Sequence, residues 1–284
     1  MDIGLSTFPT TYSIPATELG REAEQRGFDA IFAVEHTHVP ASRRTPYPLG
    51  GELPSIYWES YEPFTYLSQL AAVTSRLRVG TGVCLVAQHH PVALAKRAAS
   101  LDAISGGRFL FGVGAGWLAE EMENHGFTYD NRWKILREHV LAMQSCWTQK
   151  DAEFHGEYVN FDPVWVEPKP VTNPHPPILI GANSKWAIRR IAEYAQGWYP
   201  VQTPDFDERL GQLRDECEKC GRSFDDLDIS LVTMIETSDQ LEALKDKGVN
   251  RVVLSLPTVD ADESKKVLDG YQRVIEWARE LRDG

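Results

Sequence analysis

The chain is expected to fold as an α/β protein, a (β/α)8 TIM barrel with an extended insertion before its fifth strand. Three observations predict this. Eight short apolar runs recur along the chain, most followed by stretches with helical spacing, the total of 284 residues suits one such barrel, and a proline-rich segment interrupts the beat at mid-chain. Apolar runs alternating with helical segments read as parallel strands covered by helices. Eight units in this length favour a closed barrel over an open doubly wound sheet. No linker composition breaks the pattern, so a single domain spanning 1–284 is expected.

The first strand is expected near 3–8 (IGLSTF), followed by a helix over 14–26 that stops at Gly27. The second run, 29–34 (DAIFAV), ends in Glu35-His36. A helix at 61–75 precedes a third strand at 77–84, and another at 91–104 precedes the fourth at 108–113. Between 129 and 147, Ile135, Leu136, Val140, Met143 and Trp147 form an apolar stripe at helical spacing. Gly156 and six prolines (Pro163, Pro168, Pro170, Pro174, Pro176, Pro177) then exclude helix. The insertion 148–177 is therefore expected to be an irregular excursion with short extended pieces, a lid or wall over a site. Strands resume at 178–181, with a helix over 184–195, and then near 197–201, 227–233 and 251–256. A last helix, 263–282, places Val267, Tyr271, Val274, Ala278 and Leu281 on one face.

Composition narrows the function classes. Lys and Arg total 29 against 41 Asp and Glu, a net charge of −12. Nucleic acid is a poor partner for such a chain, because its backbone is bound through concentrated positive charge. No segment approaches the roughly 20 apolar residues that cross a bilayer, so no membrane partner is expected. The opening residues, MDIGLSTFP, lack a basic region followed by an apolar run. Four cysteines in a chain this long form no disulfide framework, and a cytoplasmic setting is expected.

In a (β/α)8 barrel the chemistry gathers at the carboxyl ends of the strands. That rule selects Phe8, Glu35-His36, Thr81-Gly82-Val83-Cys84, Gly114-Ala115-Gly116-Trp117, Gly181-Ala182-Asn183-Ser184, Pro200-Val201-Gln202 and Pro257-Thr258. His36 and Glu35 are the catalytic candidates. An imidazole exchanges protons near neutral pH, and Glu35 is its neighbour in sequence. Side chains alternate along a strand, so the two need not share one face. His36-Thr37-His38 also suggests a metal, but barrel metallohydrolases draw further ligands from other strands, and no histidine follows His175. No metal is expected.

The run Gly112-Val-Gly114-Ala-Gly116 lacks the spacing of a dinucleotide fingerprint. Its small residues suit a planar ligand lying close to the backbone. Gly181, Ala182, Asn183 and Ser184, between a strand and a helix, offer a phosphate seat, with a plain helix cap at Asn183 or Ser184 as the alternative. Cys217 and Cys220 form a lone CxxC on a polar helical stretch, and redox or zinc chemistry is not expected of them.

Taken together, AEQRGFDAIFAVEH (23–36), LRVGTGVCLVAQHHPVALAKRAASLDAISGGRFLFGVGAGW (77–117) and EPKPVTNPHPPILIGANS (167–184) resemble the bacterial luciferase-like superfamily, in its coenzyme F420-dependent oxidoreductase branch. The resemblance covers nearly the whole chain and is weakest after residue 200. It implies a homodimeric barrel and a non-prolyl cis peptide at Gly82-Val83. It also implies that Thr81, Gly82, Val83, Gly114, Gly116 and Trp117 border the cofactor ring, while Gly181, Ala182, Asn183 and Ser184 approach its phosphate tail. His36 takes the place of a family histidine, and Glu35 stands where relatives carry Asp. The activity so implied is hydride transfer between F420 and a small-molecule substrate. The alternative is an FMN-dependent monooxygenase using reduced flavin and O2, supplied by a flavin reductase. A metal-dependent barrel hydrolase and a non-catalytic F420-binding protein are minor alternatives.

Overall fold

The computed structural model describes residues 1–283, so Gly284, the last position of the expected domain, lies outside the described residues. The strands in chain order are β1 (Asp2–Thr7), β2 (Ala30–Ala33), β3 (Arg78–Thr81), β4 (Cys84–Leu85), β5 (Phe109–Gly114), β6 (Ala152–His155), β7 (Asn160–Val164), β8 (Ile178–Ile180), β9 (Gly197–Trp198), β10 (Asp228–Val232) and β11 (Arg251–Ser255). The helices are α1 (Ala16–Arg26), α2 (Ile56–Glu59), α3 (Pro63–Val73), α4 (Pro91–Ser105), α5 (Ala119–Asn124), α6 (Arg132–Thr148), α7 (Lys185–Tyr194), α8 (Phe206–Lys219), α9 (Ser238–Asp246), α10 (Ala261–Gly270) and α11 (Gln272–Asp283).

Pairing runs β1-β2-β3-β5-β8-β9-β10-β11 and returns from β11 to β1, all parallel, which closes an eight-stranded barrel. The strands are continuous apolar runs because both their faces are covered. Ala30, Phe32, Leu110, Leu179, Tyr199 and Val253 fill the interior as one cluster. Outward residues such as Ile3, Leu5, Val79 and Phe109 pack beneath the helices in a larger one. Each fully buried side chain of this size contributes roughly 1.5–3 kcal/mol relative to exposure.

Helix boundaries follow local chemistry. Gly27 ends α1 in a left-handed conformation (φ 90°) that lets its N–H reach back to Ala23 and Glu24. Glu62 caps α3 by accepting from Phe64 and Thr65, with Pro63 in the first turn. No helix among the described residues is long and apolar enough to cross a membrane.

Three expectations need correction. The strand expected over 77–84 is two strands, β3 and β4, separated by Gly82 and Val83. The run at 197–201 keeps only Gly197 and Trp198 as strand, with an isolated bridge from Val201 to Val232. The final helix breaks at Tyr271, next to the weak helix former Gly270, where the phenol donates to the Ser255 carbonyl. The insertion does contain extended pieces. They form the antiparallel hairpin β6-β7, pinned to α6 because Glu138 accepts the N–H groups of Glu157, Tyr158 and Val159.

Candidate active site

The end of β2 sends its two candidate side chains in different directions. The Glu35 carboxylate accepts from Leu85 N–H at 2.6 Å and lies 2.8 Å from His89 Nε2. Burial alone would raise its pKa, but the His89 contact and the Leu85 N–H hold it below the ordinary value. The Cys84 thiol completes this group, with one ligand atom from each of Glu35, Cys84 and His89 within 4.8 Å of the others. Burial, and then the Glu35 charge, push the thiol well above its usual range, so it stays protonated. Glu35 thus ties β2 to the start of β4.

His36 turns the other way. Its Nδ1 lies 2.8 Å from Glu121 Oε2, and the two side chains are 6% and 1% exposed. The second oxygen of Glu121 accepts Thr37 N–H at 2.9 Å. The imidazole packs against Tyr57 at 5.2 Å and Trp117 at 5.9 Å between ring centres, and Phe8 meets Tyr57 at 4.9 Å. Phe8, His36 and Trp117 follow three different strands, whereas Tyr57 and Tyr47, whose ring centre is 6.0 Å from that of Trp117, come from the long connection between β2 and α3. That connection is held by α5: Glu120 accepts the N–H groups of Arg44 and Thr45, and Glu123 pairs with the Arg44 guanidinium at 2.7 Å. His38 and His125 both contact the Thr37 hydroxyl, at 2.9 and 2.8 Å.

The peptide between Gly82 and Val83 is cis, where the resemblance implied it. Gly82 and Val83 are half-buried, while Thr81 and Cys84 on either side are fully buried. The neighbouring glycines explain how the bulge fits. A Cβ at Gly114 would come within 2.5 Å of one Val83 methyl, and a Cβ at Gly181 within 2.4 Å of the other. A Cβ at Gly112 would meet the Thr81 carbonyl oxygen at 2.0 Å. The sequence assigned this glycine run to a flat ligand, but the space over Gly112, Gly114 and Gly181 is filled by the chain's own bulge. Thr81 further anchors it by donating its hydroxyl to the Gly112 carbonyl at 2.6 Å. Gly116, at φ 77°, turns the chain beside Gln88, whose buried amide nitrogen has no hydrogen-bond partner.

At the end of β8 the polar side chains are already committed. Asn183 donates to the Val201 carbonyl at 2.6 Å, and Ser184 caps α7 by accepting from Ala187 N–H at 3.3 Å. The Ala182 carbonyl accepts the Trp198 indole N–H. What remains open is the exposed first turn of α7, with the N–H groups of Lys185 and Trp186. The helix-cap alternative therefore describes Ser184, and an anion at this end would meet backbone N–H groups.

The structure gathers His36, Trp117 and Phe8 in one cluster and packs Gly82, Val83, Gly114 and Gly181 in another contiguous unit. Glu35 stands apart from the His36 side. Glu121, Tyr47 and Tyr57 were not anticipated. Glu121 lies in Ala-Glu-Glu-Met-Glu-Asn, which reads as a solvated helix face, and only contacts far apart in sequence distinguish its buried carboxylate from the exposed Glu123.

A family described as luciferase-like monooxygenase matches residues 10–282. An uncharacterized Mycobacterium tuberculosis protein is 38% identical over 276 residues, covering 93% of this chain and 95% of that protein. An FMNH2-dependent dimethylsulfone monooxygenase of Pseudomonas putida is 32% identical over 142 residues, 49% of this chain and 39% of that protein. Among solved structures, the monooxygenase RslO1 from Streptomyces bottropensis superposes with a TM-score of 0.78 at 21% identity, covering 96% of this chain and 98% of that one. An F420-dependent secondary alcohol dehydrogenase superposes at 0.77 with 15% identity, covering 97% and 98%. At these identities the two structures bear on the fold alone.

Proposed function

This chain belongs to the luciferase-like monooxygenase family, and on that premise we propose that it is an oxidoreductase passing a hydride between coenzyme F420 and a small organic substrate. The observation that carries the reading is the mouth itself. The bulge at Gly82-Val83 is seated in a notch of glycines at the end of β3; the strands on either side, β2 and β5, lead to His36 and Trp117, and β8 beyond β5 leads to the open first turn of α7. These residues fit a flat ring with a phosphate tail. The notch lowers the bulge, the unpaired Gln88 amide lies beside Gly116, and the α7 N–H groups suit an anion.

When bound, the deazaflavin would supply hydride chemistry at its ring carbon C5. The chain's residues have the remaining tasks. Gly82, Val83, Gly114, Gly116, Trp117 and Thr81 shape the ring's bed, and residues 181–186 hold the tail. Phe8, Tyr57 and Trp117 exclude water, and His36 exchanges a proton with the substrate. The late strand ends carry no cluster of basic residues, which disfavours a sugar phosphate. The reading places the enzyme in the cytoplasm as a homodimer.

A second reading, an FMN-dependent monooxygenase fed by a flavin reductase, is favoured by the likeness to the dimethylsulfone monooxygenase. Titrating purified protein separately with F420, FMN and reduced FMN, followed by fluorescence and difference absorbance, separates the two. F420 binding with weak or no flavin binding is expected. Tight binding of reduced FMN without F420 binding reverses the assignment.

A further inference from the structure

We propose that Glu121 is the positioning residue of this site: it fixes His36 as the tautomer protonated on Nδ1 and thereby leaves Nε2 to meet the substrate. The tautomer assignment rests on the contact geometry together with an ionised Glu121. The use made of Nε2 rests on the oxidoreductase reading.

The Glu121 side chain is 1% exposed, and each of its oxygens has a partner at the end of β2, His36 Nδ1 at 2.8 Å and Thr37 N–H at 2.9 Å. An ionised carboxylate only accepts hydrogen bonds, so the ring nitrogen facing it must carry the proton. In the neutral imidazole the other nitrogen is then bare. Among the described residues no group hydrogen-bonds His36 Nε2, while Tyr57 and Trp117 restrict the ring from two sides. A proton leaving the substrate's X–H group moves to Nε2. The resulting imidazolium keeps its Nδ1–H against the carboxylate, which stabilises the charge. Glu121 acts on the reaction only through the ring.

Position along the chain explains how α5 delivers this group. Gly116 turns the chain out of β5, and five residues later Glu121 meets the end of β2. The same carboxylate also ties the β2 connection to α5, so a purely structural role is the competing explanation. Glu121→Gln separates the two. The substituted amide keeps one oxygen, which still accepts from Thr37 N–H, and places an NH2 group against Nδ1. That group can only donate, so Nδ1 must become the acceptor and the proton must move to Nε2.

The test uses 15N-histidine-labelled, cofactor-free protein and long-range 1H–15N spectra recorded where the imidazole is neutral, with His36 assigned by its loss in His36→Ala. The wild type should show a protonated Nδ1 and a bare Nε2, and Glu121→Gln the reverse, with little change in the urea midpoint. Where turnover is measurable, kcat should fall by roughly 10²–10⁴-fold with KM nearly unchanged, the scale of a positioned acid–base group and of a wrong-tautomer variant. A wild-type Nε2–H tautomer overturns the proposal without any variant, as does an unchanged tautomer in Glu121→Gln. Should that variant fail to fold, the wild-type spectrum decides. Failure of the F420 reading would appear in the cofactor titration and leave the tautomer result standing.

Discussion

The two ends of the barrel each bury a charged side chain in a hydrogen-bonded contact, and they use it differently. At the amino end, Arg251 opens β11 and is 1% exposed. Its guanidinium donates to Asp228 at 3.0 and 3.1 Å, to Ser230 at 2.6 Å and to Asp2 at 3.3 Å, joining the starts of β1, β10 and β11. At the carboxyl end, Glu121 holds His36 at 2.8 Å and leaves the second ring nitrogen unbonded. A buried charge is therefore not itself a mark of a site. At the base, the charge is engaged by strand-end acceptors and serves the barrel. At the mouth, one partner keeps hydrogen-bonding capacity where a ligand would arrive.

Removing the charge at the base should have the largest effect. Arg251→Met leaves Asp228 without its cationic partner and Asp2 with only Arg282, at 3.7 Å. Such losses cost about 3–5 kcal/mol in full burial, and the partial exposure of the two carboxylates (22% and 32%) puts the expected value near the lower end. Urea unfolding measures it. The distinction between the ends requires that the His36 tautomer in the folded variant be unchanged. A normal urea midpoint combined with lost turnover would break it.

His36→Ala makes the converse change. His36 is not part of the barrel's inner cluster, but its side chain is 6% exposed and its loss takes one donor from the buried Glu121 carboxylate, so urea unfolding should show a cost of about 1–3 kcal/mol, below that at the base. Turnover should fall by roughly 10²–10⁴-fold, while cofactor affinity changes far less. Steady-state rates beside a cofactor titration check this. Near-normal turnover would remove the catalytic assignment, and loss of folding would make the two ends alike.

The hairpin wall that the insertion builds against α6 depends on a third carboxylate. Burial would raise the Glu138 pKa, but the N–H groups of Tyr158, Glu157 and Val159 lower it below its ordinary 4.5. Because the folded value is depressed, the stabilisation is fully present above about pH 4.5 and is lost as pH falls through the lowered value. At this half-exposed position it is worth about 1 kcal/mol. Glu138→Gln should lower amide-exchange protection at residues 157–159 near neutral pH and flatten its decline below about pH 4. The base should show neither change. Equal loss of protection in β1 and β11 would mean that the wall and barrel open together.

How much of this was legible depended on the range of the interaction. The eight barrel strands were readable because a strand covered on both faces must be apolar, and the signal is local. The break at Gly82-Val83 was not, since LRVGTGVC has the periodicity of one uninterrupted strand and only the family resemblance placed the bulge. His36 was legible from its address directly after an apolar run. Glu121 was not, because its burial is created by contacts with residues 84 and 85 positions away in sequence. Glu35 shows the limit of adjacency: alternation along the strand points it behind the bulge, toward Leu85 and His89.

The smallest expected effect concerns Ser184, where the mouth has a group with a wholly local task. Its hydroxyl accepts Ala187 N–H at 3.3 Å, a long bond at an exposed helix start. Ser184→Ala should cost about 0.5–1 kcal/mol, the low end for an N-cap. If the phosphate tail is held by the N–H groups of Lys185 and Trp186, F420 affinity should change by less than about threefold, because those donors and the helix dipole remain. Lys185→Pro is the sharper partner. It removes one of those donors, yet proline is tolerated in the first turn of a helix, where that N–H has no helical acceptor. Affinity should then fall by roughly tenfold, one lost hydrogen bond to a charged group, with little loss of stability. Thermal unfolding and cofactor titration of the two variants separate cap from seat. A large affinity loss in Ser184→Ala with none in Lys185→Pro would assign the tail to the serine hydroxyl and remove the backbone seat from the mouth.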